Sequence, residues 1–175
     1  MFSLTLDFLN AFVTSTESNW ENVVINPKIF GFQFQKGTHW RKGLTDLEIS
    51  KFENDLGVSF PNEYKFLLRN INGTDLPTMN INGAWGNSVE YSIGVYSYPD
   101  DINTIRKAKS FLDVHSEEWG FDTQENDYFI PFYSHRYIQV RNEEIQRVVS
   151  VYGNDGIEYG KDMRSYLEKE FIRFG

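Results

Sequence analysis

Hydrolytic and metal chemistry at neutral pH draws on imidazoles, thiolates and paired carboxylates, and this chain is sparing with the first two. It has three histidines, His39, His115 and His135, and no cysteine. The missing thiol excludes disulfides, thiolate-bound zinc and a cysteine nucleophile. The histidines stand far apart, without the short spacing that sets two metal ligands on one element. Ser134-His135, with Asp127 nearby, suggests a nucleophile, base and acid. Neighbours on a strand point to opposite faces, however, so in a strand the two could not readily share a proton, and no Gly-x-Ser-x-Gly elbow is present. The stretch "GNDGIEYG" at 153–160 lacks the alternating oxygens of a calcium loop and the lysine of a phosphate loop, so it reads as a turn. His135 reads as a hydrogen-bonded structural residue and His39, beside Trp40 and Arg41, as a surface group. These residues predict no catalytic, cofactor or metal site.

The carboxylates point elsewhere. Against 17 lysines and arginines stand 25 acidic side chains, a net charge of −8. That balance disfavours direct nucleic-acid binding, which calls for a basic face, and suits solubility or a basic protein partner. The acids concentrate in "HSEEWGFDTQEND", where Glu117, Glu118, Asp122, Glu125 and Asp127 surround Trp119 and Phe121. One reading is a solvated charge run. The other is a recognition patch of Glu117, Glu118, Trp119, Asp122 and Glu125, with carboxylates around an aromatic anchor imitating a nucleic-acid backbone. Glu53, beside an apolar stripe, is expected to be a half-buried acceptor for a backbone N–H or for an arginine such as Arg136.

The elements that must position these groups are legible in outline. Apolar residues make up 40 % of the 175 and aromatics 17 %, enough for one core. Leu4, Phe8 and Phe12 predict a helix over 4–14, and the polar "TSTESNWENVV" after it reads as loop. "NPKIFGFQFQKGTHWRKG" reads as loop with a short strand. In "LTDLEISKFENDLG", Thr45 and Glu48 have capping-box spacing, and Leu44 and Ile49 flank the cap. Ile49, Phe52 and Leu56 form one stripe, and Gly57 can end the helix in the left-handed region. Pro61 suits the first position of a second helix, with Tyr64, Leu67, Leu68 and Ile71 on one face and Asn72-Gly73 closing it. The two helices read as a hairpin packed on an apolar surface.

Further on, Asn82-Gly83 marks a turn and "SVEYSIGVYSY" a strand. A third helix is expected over 101–114, capped by Asp100 or Asp101. "YFIPFYSHRYIQVR" reads as one or two strands broken at Pro131, and "RVVSVYGNDGIEYG" as two short strands around Asn154-Asp155-Gly156. A last helix carries Met163, Tyr166, Leu167 and Phe171 on one side. The N-terminal "MFSLTLDFLNAFV" has no basic region and carries Asp7, so it reads as neither signal peptide nor membrane span.

These pieces resemble a known family. "LTDLEISKFENDLGVSFPNEYKFLLRNING" (44–73) is similar to the helical-hairpin motif of the SUKH superfamily, at Ile49, Glu53, Phe60, Pro61, Tyr64, Phe66, Leu67, Asn72 and Gly73. "IPFYSHRYIQV" and "VVSVYGNDGIEYGKDMRSYLEKEF" resemble the strand pair and final helix of its Smi/Knr-like, cell-wall-assembly-regulator branch. The resemblance implies an α+β fold, with one mixed, mainly antiparallel sheet and helices packed against it. A single domain over 1–175 is expected: a less typical helix and loop to residue 40, the hairpin at 44–73, a β-rich part with one helix at 76–160 and a final helix at 161–173. It further implies a non-enzymatic binding protein without cofactor. Bacterial members are typically cytoplasmic immunity proteins that neutralise a cognate polymorphic toxin, often a nuclease or deaminase. Eukaryotic relatives act as regulatory interaction proteins, which is the alternative role. No catalytic residues come with the family, and the motif residues are structural.

Overall fold

A computed structural model describes residues 3–82, 90–115, 123–153 and 155–173. The first helix, α1 (Leu6–Glu21), starts at Thr5, whose hydroxyl accepts from the Phe8 N–H at 3.2 Å. It runs well past the predicted end, because Leu9, Phe12, Thr16 and Trp20 carry one buried stripe through the polar stretch. Thr16 can sit in that stripe because its hydroxyl donates to the Phe12 carbonyl at 2.8 Å. It also accepts from the Trp40 indole N–H at 2.9 Å, tying the helix to the chain beyond it.

Two short strands follow, β1 (Gly31–Phe32) and β2 (Trp40–Lys42). Helix α2 (Asp46–Leu56) has the capping box in full: Glu48 N–H donates to Thr45 Oγ1 at 3.3 Å and Thr45 N–H to Glu48 Oε2 at 2.7 Å. Gly57 ends it at φ +67°. Helix α3 (Asn62–Asn70) starts one residue later than predicted, with Pro61 extended just before it. It also stops earlier. Ile71–Thr74 is strand β3, paired antiparallel with β2, so Asn72-Gly73 is not a helix end. Asn72 instead clamps a distant loop: its amide donates to the Tyr98 carbonyl at 2.6 Å and its oxygen accepts from the Tyr98 N–H at 2.9 Å. Gly73, at φ +71°, lies so close to the Tyr96 carbonyl that a Cβ there would collide with it.

Strands β4 (Met79–Asn80) and β5 (Tyr91–Ser92) pair antiparallel, and β1 joins the far side of β4. Gly83, half of the predicted turn, lies outside the described residues. Helix α4 (Ile102–His115) follows. The Asp101 carboxylate turns back to accept from the Ser97 N–H at 2.7 Å.

The main sheet is an antiparallel meander of β6 (Tyr128–Tyr133), β7 (Arg136–Arg141), β8 (Glu144–Tyr152) and β9 (Asp155–Gly160). Pro131 does not break it. The proline sits inside β6 opposite Tyr137, and the chain turns at Ser134-His135 instead. Both faces are covered. Ile130, Phe132, Ile138, Val140 and Val148 join the large core with α1, α2 and α3, while Phe129, Tyr137, Val149 and Val151 pack under Leu112 and Ala108 of α4. Helix α5 (Met163–Leu167) is capped by Asp162, which accepts from the Ser165 N–H at 2.7 Å. It continues as a π-helical stretch, Glu168–Arg173, that carries Glu170 and Phe171 inward.

The fold is α+β, with helices packed on antiparallel strands. Among the described residues every strand pair is antiparallel, and the strands fall into three hydrogen-bonded groups. A bridge from Val95 to Tyr133, with Ser134 N–H donating to the Gly94 carbonyl at 2.9 Å, joins the segment after β5 to the main sheet. Among the described residues, no helix is long and apolar enough to cross a membrane.

Candidate functional site

The residues with catalytic potential do not assemble. His39 stands exposed between Glu21 and Asp75, with Nδ1 3.5 Å from Asp75 Oδ2. The side chain of His115 lies outside the described residues. Among the described residues no group of three or more histidine, aspartate or glutamate side chains could hold a metal. Ser134 and His135 correct the strand-based expectation: at the tight turn, Ser134 Oγ comes within 3.5 Å of His135 Nδ1. Among the described residues no acid completes the pair. Asp127 sits at the opposite end of the β6–β7 hairpin, bonded to Arg141 Nε at 2.7 Å and to Gln139 Nε2 at 2.7 Å. Those bonds hold its carboxyl below the ordinary aspartate range.

Of the acidic patch, Glu117, Glu118, Trp119, Asp122 and neighbouring Phe121 lie outside the described residues. Glu125 is exposed. Asp127 is not a recognition acid, because its side chain is 1 % exposed and consumed by Arg141. The family-motif residues serve the core. Ile49, Phe60, Tyr64 and Leu67 are buried. Glu53 accepts from the Phe60 N–H at 2.6 Å and pairs with Lys65 at 2.8 Å, locking the α2–α3 link. Arg136 pairs elsewhere.

Two concave sites stand out instead. The first is a groove of about 790 Å³ between β1, α4 and the β6–β7 turn, lined by Phe30, Phe32, Lys107, Phe111, His135 and Tyr152 among others. Phe30, Phe111 and Tyr152 are 46 %, 48 % and 65 % exposed, a cost in water that partner-binding surfaces commonly carry. The His135 ring stacks on Phe32 at 5.2 Å and meets the Tyr152 ring at 5.5 Å. Burial, reinforced by adjacent Arg136, pushes its pKa down to about 4, so the His135 ring is uncharged at physiological pH.

The second is a cavity of about 830 Å³ between the end of α1, the β1 segment and the main sheet, walled by Trp20, Phe32, Phe34 and Tyr159. The Trp20 and Phe34 rings stack at 4.2 Å. Arg136 and Glu170 also line it, paired through Nε and Oε2 at 2.9 Å with each side chain only 7 % exposed. Arg136 Nη1 donates to Ser150 Oγ at 2.7 Å, and its guanidinium lies 3.9 Å from the Tyr159 ring centre. Burial raises the Glu170 pKa against the opposing pull of Arg136. Helical spacing from Met163 and Tyr166 places Glu170 on the buried face, but no local pattern foretells its partner Arg136, which lies 34 positions earlier in the chain.

Phe32 and Arg136 line both sites and form the partition between them. Both sites also draw a wall from residues before 43: Phe30 and Phe32 in the groove, Trp20, Phe32 and Phe34 in the cavity. No individually curated protein matches the chain. The model of the SMI1/KNR4 family (SUKH-1) matches residues 43–169, so the hairpin and main sheet are family scaffold, and α1 and β1 lie outside the match. With its α2–α3 hairpin, antiparallel meander and closing helix inside that span, the chain belongs to the SMI1/KNR4 family (SUKH-1).

Proposed function

We propose that this protein is a non-enzymatic immunity protein that neutralises a cognate toxin by one-to-one binding through the aromatic groove. The observation that carries the reading is the convergence of three exposed aromatics, Phe30, Phe111 and Tyr152, on one groove of a chain with net charge −8. Aromatic anchors of this kind supply most of the affinity in protein interfaces, and a surplus of negative charge speeds encounter with a basic domain. The partner chemistry is therefore a basic toxin domain, of nuclease or deaminase type, presenting an apolar side chain to the groove. The acidic segment around Glu117, Glu118, Trp119 and Asp122 directly follows α4 in sequence and adds to the attraction. Family membership supports a binding role, since SUKH proteins include toxin-neutralising members.

The test is co-expression with the C-terminal domain of the protein encoded immediately upstream. Rescue of growth together with co-purification at one to one supports the reading. A toxic domain that this protein neither rescues nor binds overturns it for that pair.

A further inference from the structure

The wall of the aromatic groove continues onto the small sheet. Gly31 faces Asn80 and Phe32 faces Met79 across β1 and β4, and Asn80 faces Tyr91 across β4 and β5. The same register sets Phe30 opposite Ile81, and Ile81 opposite Glu90, whose carbonyl accepts from the Ile81 N–H at 2.8 Å. Directly opposed residues of antiparallel strands share a face, and the face alternates along each strand. Asn80 is fully buried, so Ile81 beside it points outward, together with Phe30 and Glu90. Phe30 and Ile81 are 46 % and 39 % exposed, and Glu90 is exposed. Two strand spacings, about 10 Å, separate Phe30 from Glu90 across this face.

Charges at this surface are few and of both signs. Among the described residues lining the groove there is no aspartate or glutamate, although the chain has a net charge of −8. The charged side chains there are Arg136, which Glu170 neutralises, and Lys107. Lys107 stands exposed on α4, one turn before Phe111 on the same side of the helix. Among the described residues neither Lys107 nor Glu90 forms an ion pair, so a partner meets both charges uncompensated.

We propose that the groove and the adjoining sheet face together read a three-part surface of the toxin: a basic side chain against Glu90, an apolar side chain in the groove, and a carboxylate against Lys107. This rests on the toxin-binding reading and adds the charge order that the partner must present. The two ranges of electrostatics do different work. The net negative charge attracts any basic domain from a distance, whatever its surface pattern. Lys107 then acts locally and in the opposite sense. A uniformly basic surface would set a cation beside it, whereas a partner with a carboxylate at that point gains a pair. Lys107 is thus a specificity residue that rejects basic domains other than the cognate one. Ile81 extends the apolar contact from Phe30 towards Glu90, so the partner's basic group lies against sheet and not in the aromatic groove itself.

The experiment measures Kd of the full chain for the C-terminal domain of the protein encoded immediately upstream, at about 0.15 M salt, where charges more than about 8 Å from the partner are screened. Three charge reversals are compared with the parent: Glu90→Lys, Lys107→Glu and, as a control, Glu144→Lys at the far end of β7 from the Ser134-His135 turn. Glu90→Lys and Lys107→Glu are each expected to weaken binding about fivefold or more, and the control less than about twofold. The Lys107 result is the decisive one. That change makes the chain more acidic, so attraction by net charge alone would tighten binding to a basic domain, the opposite sign. Each variant is checked against the melting temperature of the parent. Where a reversal unfolds, Glu90→Gln or Lys107→Gln replaces it, with an expected loss of about twofold to threefold. Binding that Phe111→Ala weakens but Lys107→Glu leaves unchanged or tightens overturns this proposal and leaves the toxin reading standing. So does a Glu90→Lys effect no larger than that of the control. Absence of binding by the parent overturns the toxin reading and this proposal with it.

Discussion

Arg136, at the start of β7, and Glu170, in the π-helical end of the chain, meet at 2.9 Å with almost no solvent on either side chain. Removing one partner leaves the other charged and buried, so Arg136→Ala is expected to cost about 3–5 kcal/mol of folding stability. The double change Arg136→Met, Glu170→Leu should recover most of that loss. Urea unfolding of the single and double variants measures both. A single variant within about 0.5 kcal/mol of the parent would show that the pair is not sealed as described.

Glu53 caps the α2–α3 link by accepting from the Phe60 N–H while holding Lys65. Glu53→Ala strands a backbone donor and is expected to destabilise by about 1–3 kcal/mol. Glu53→Gln keeps an acceptor and should lose less. Chemical denaturation ranks the two, and the reverse order would contradict the assignment.

His135 titrates near 4 when folded and near 6.5 when free, so the unfolded chain binds more protons between those values. Its contribution is complete above about pH 6.5 and is lost as pH falls towards 4. The ring is partly exposed, so solvent screening reduces the expected loss to about 1–2 kcal/mol. His135→Phe keeps the stack on Phe32 and removes the proton site. Stability measured at pH 7.5 and pH 4.5 should therefore fall more steeply in the parent than in the variant. Parallel curves would contradict the burial of this imidazole.

The turn between β7 and β8 places Asn142 and Glu143 at φ +50° and +61°. Asn tolerates that region, whereas Glu does not favour it. Glu143→Gly is expected to stabilise by about 0.5–1 kcal/mol, read as a rise in Tm. A fall would mean that the Glu143 side chain makes a contact worth more than the strain.

The legible parts of the fold are those written by local rules. Thr45 with Glu48, and Gly57 after Leu56, show their roles in residue type and spacing alone. The second half of α1 is not legible locally because Thr16 and Ser18 look loop-like, and only packing against Trp40 shows why a threonine faces inward. Asn72-Gly73 resembles a helix stop, yet its task is a clamp on Tyr98 across 26 residues of sequence. Ser134-His135 turns the hairpin because the long-range pairing of β6 with β7 outweighs the local signal of Pro131. The two concave sites were the least legible. Each joins residues before 43 to the main sheet, and the Arg136–Glu170 pair in one of them closes across 34 positions of sequence, which no local rule spells out.

On the proposed function, one toxin domain seats on the groove of Phe30, Phe111 and Tyr152. Calorimetric titration of the toxin domain with the purified chain tests it most directly, using the parent and the exposed-residue variants Phe111→Ala and Tyr152→Ala. The expected result is a stoichiometry of one and a loss of affinity of about tenfold or more for at least one of the two variants, each folded as the parent is. A one-to-one complex whose affinity neither variant changes would move the interface off the groove, and no binding at all would contradict the immunity reading.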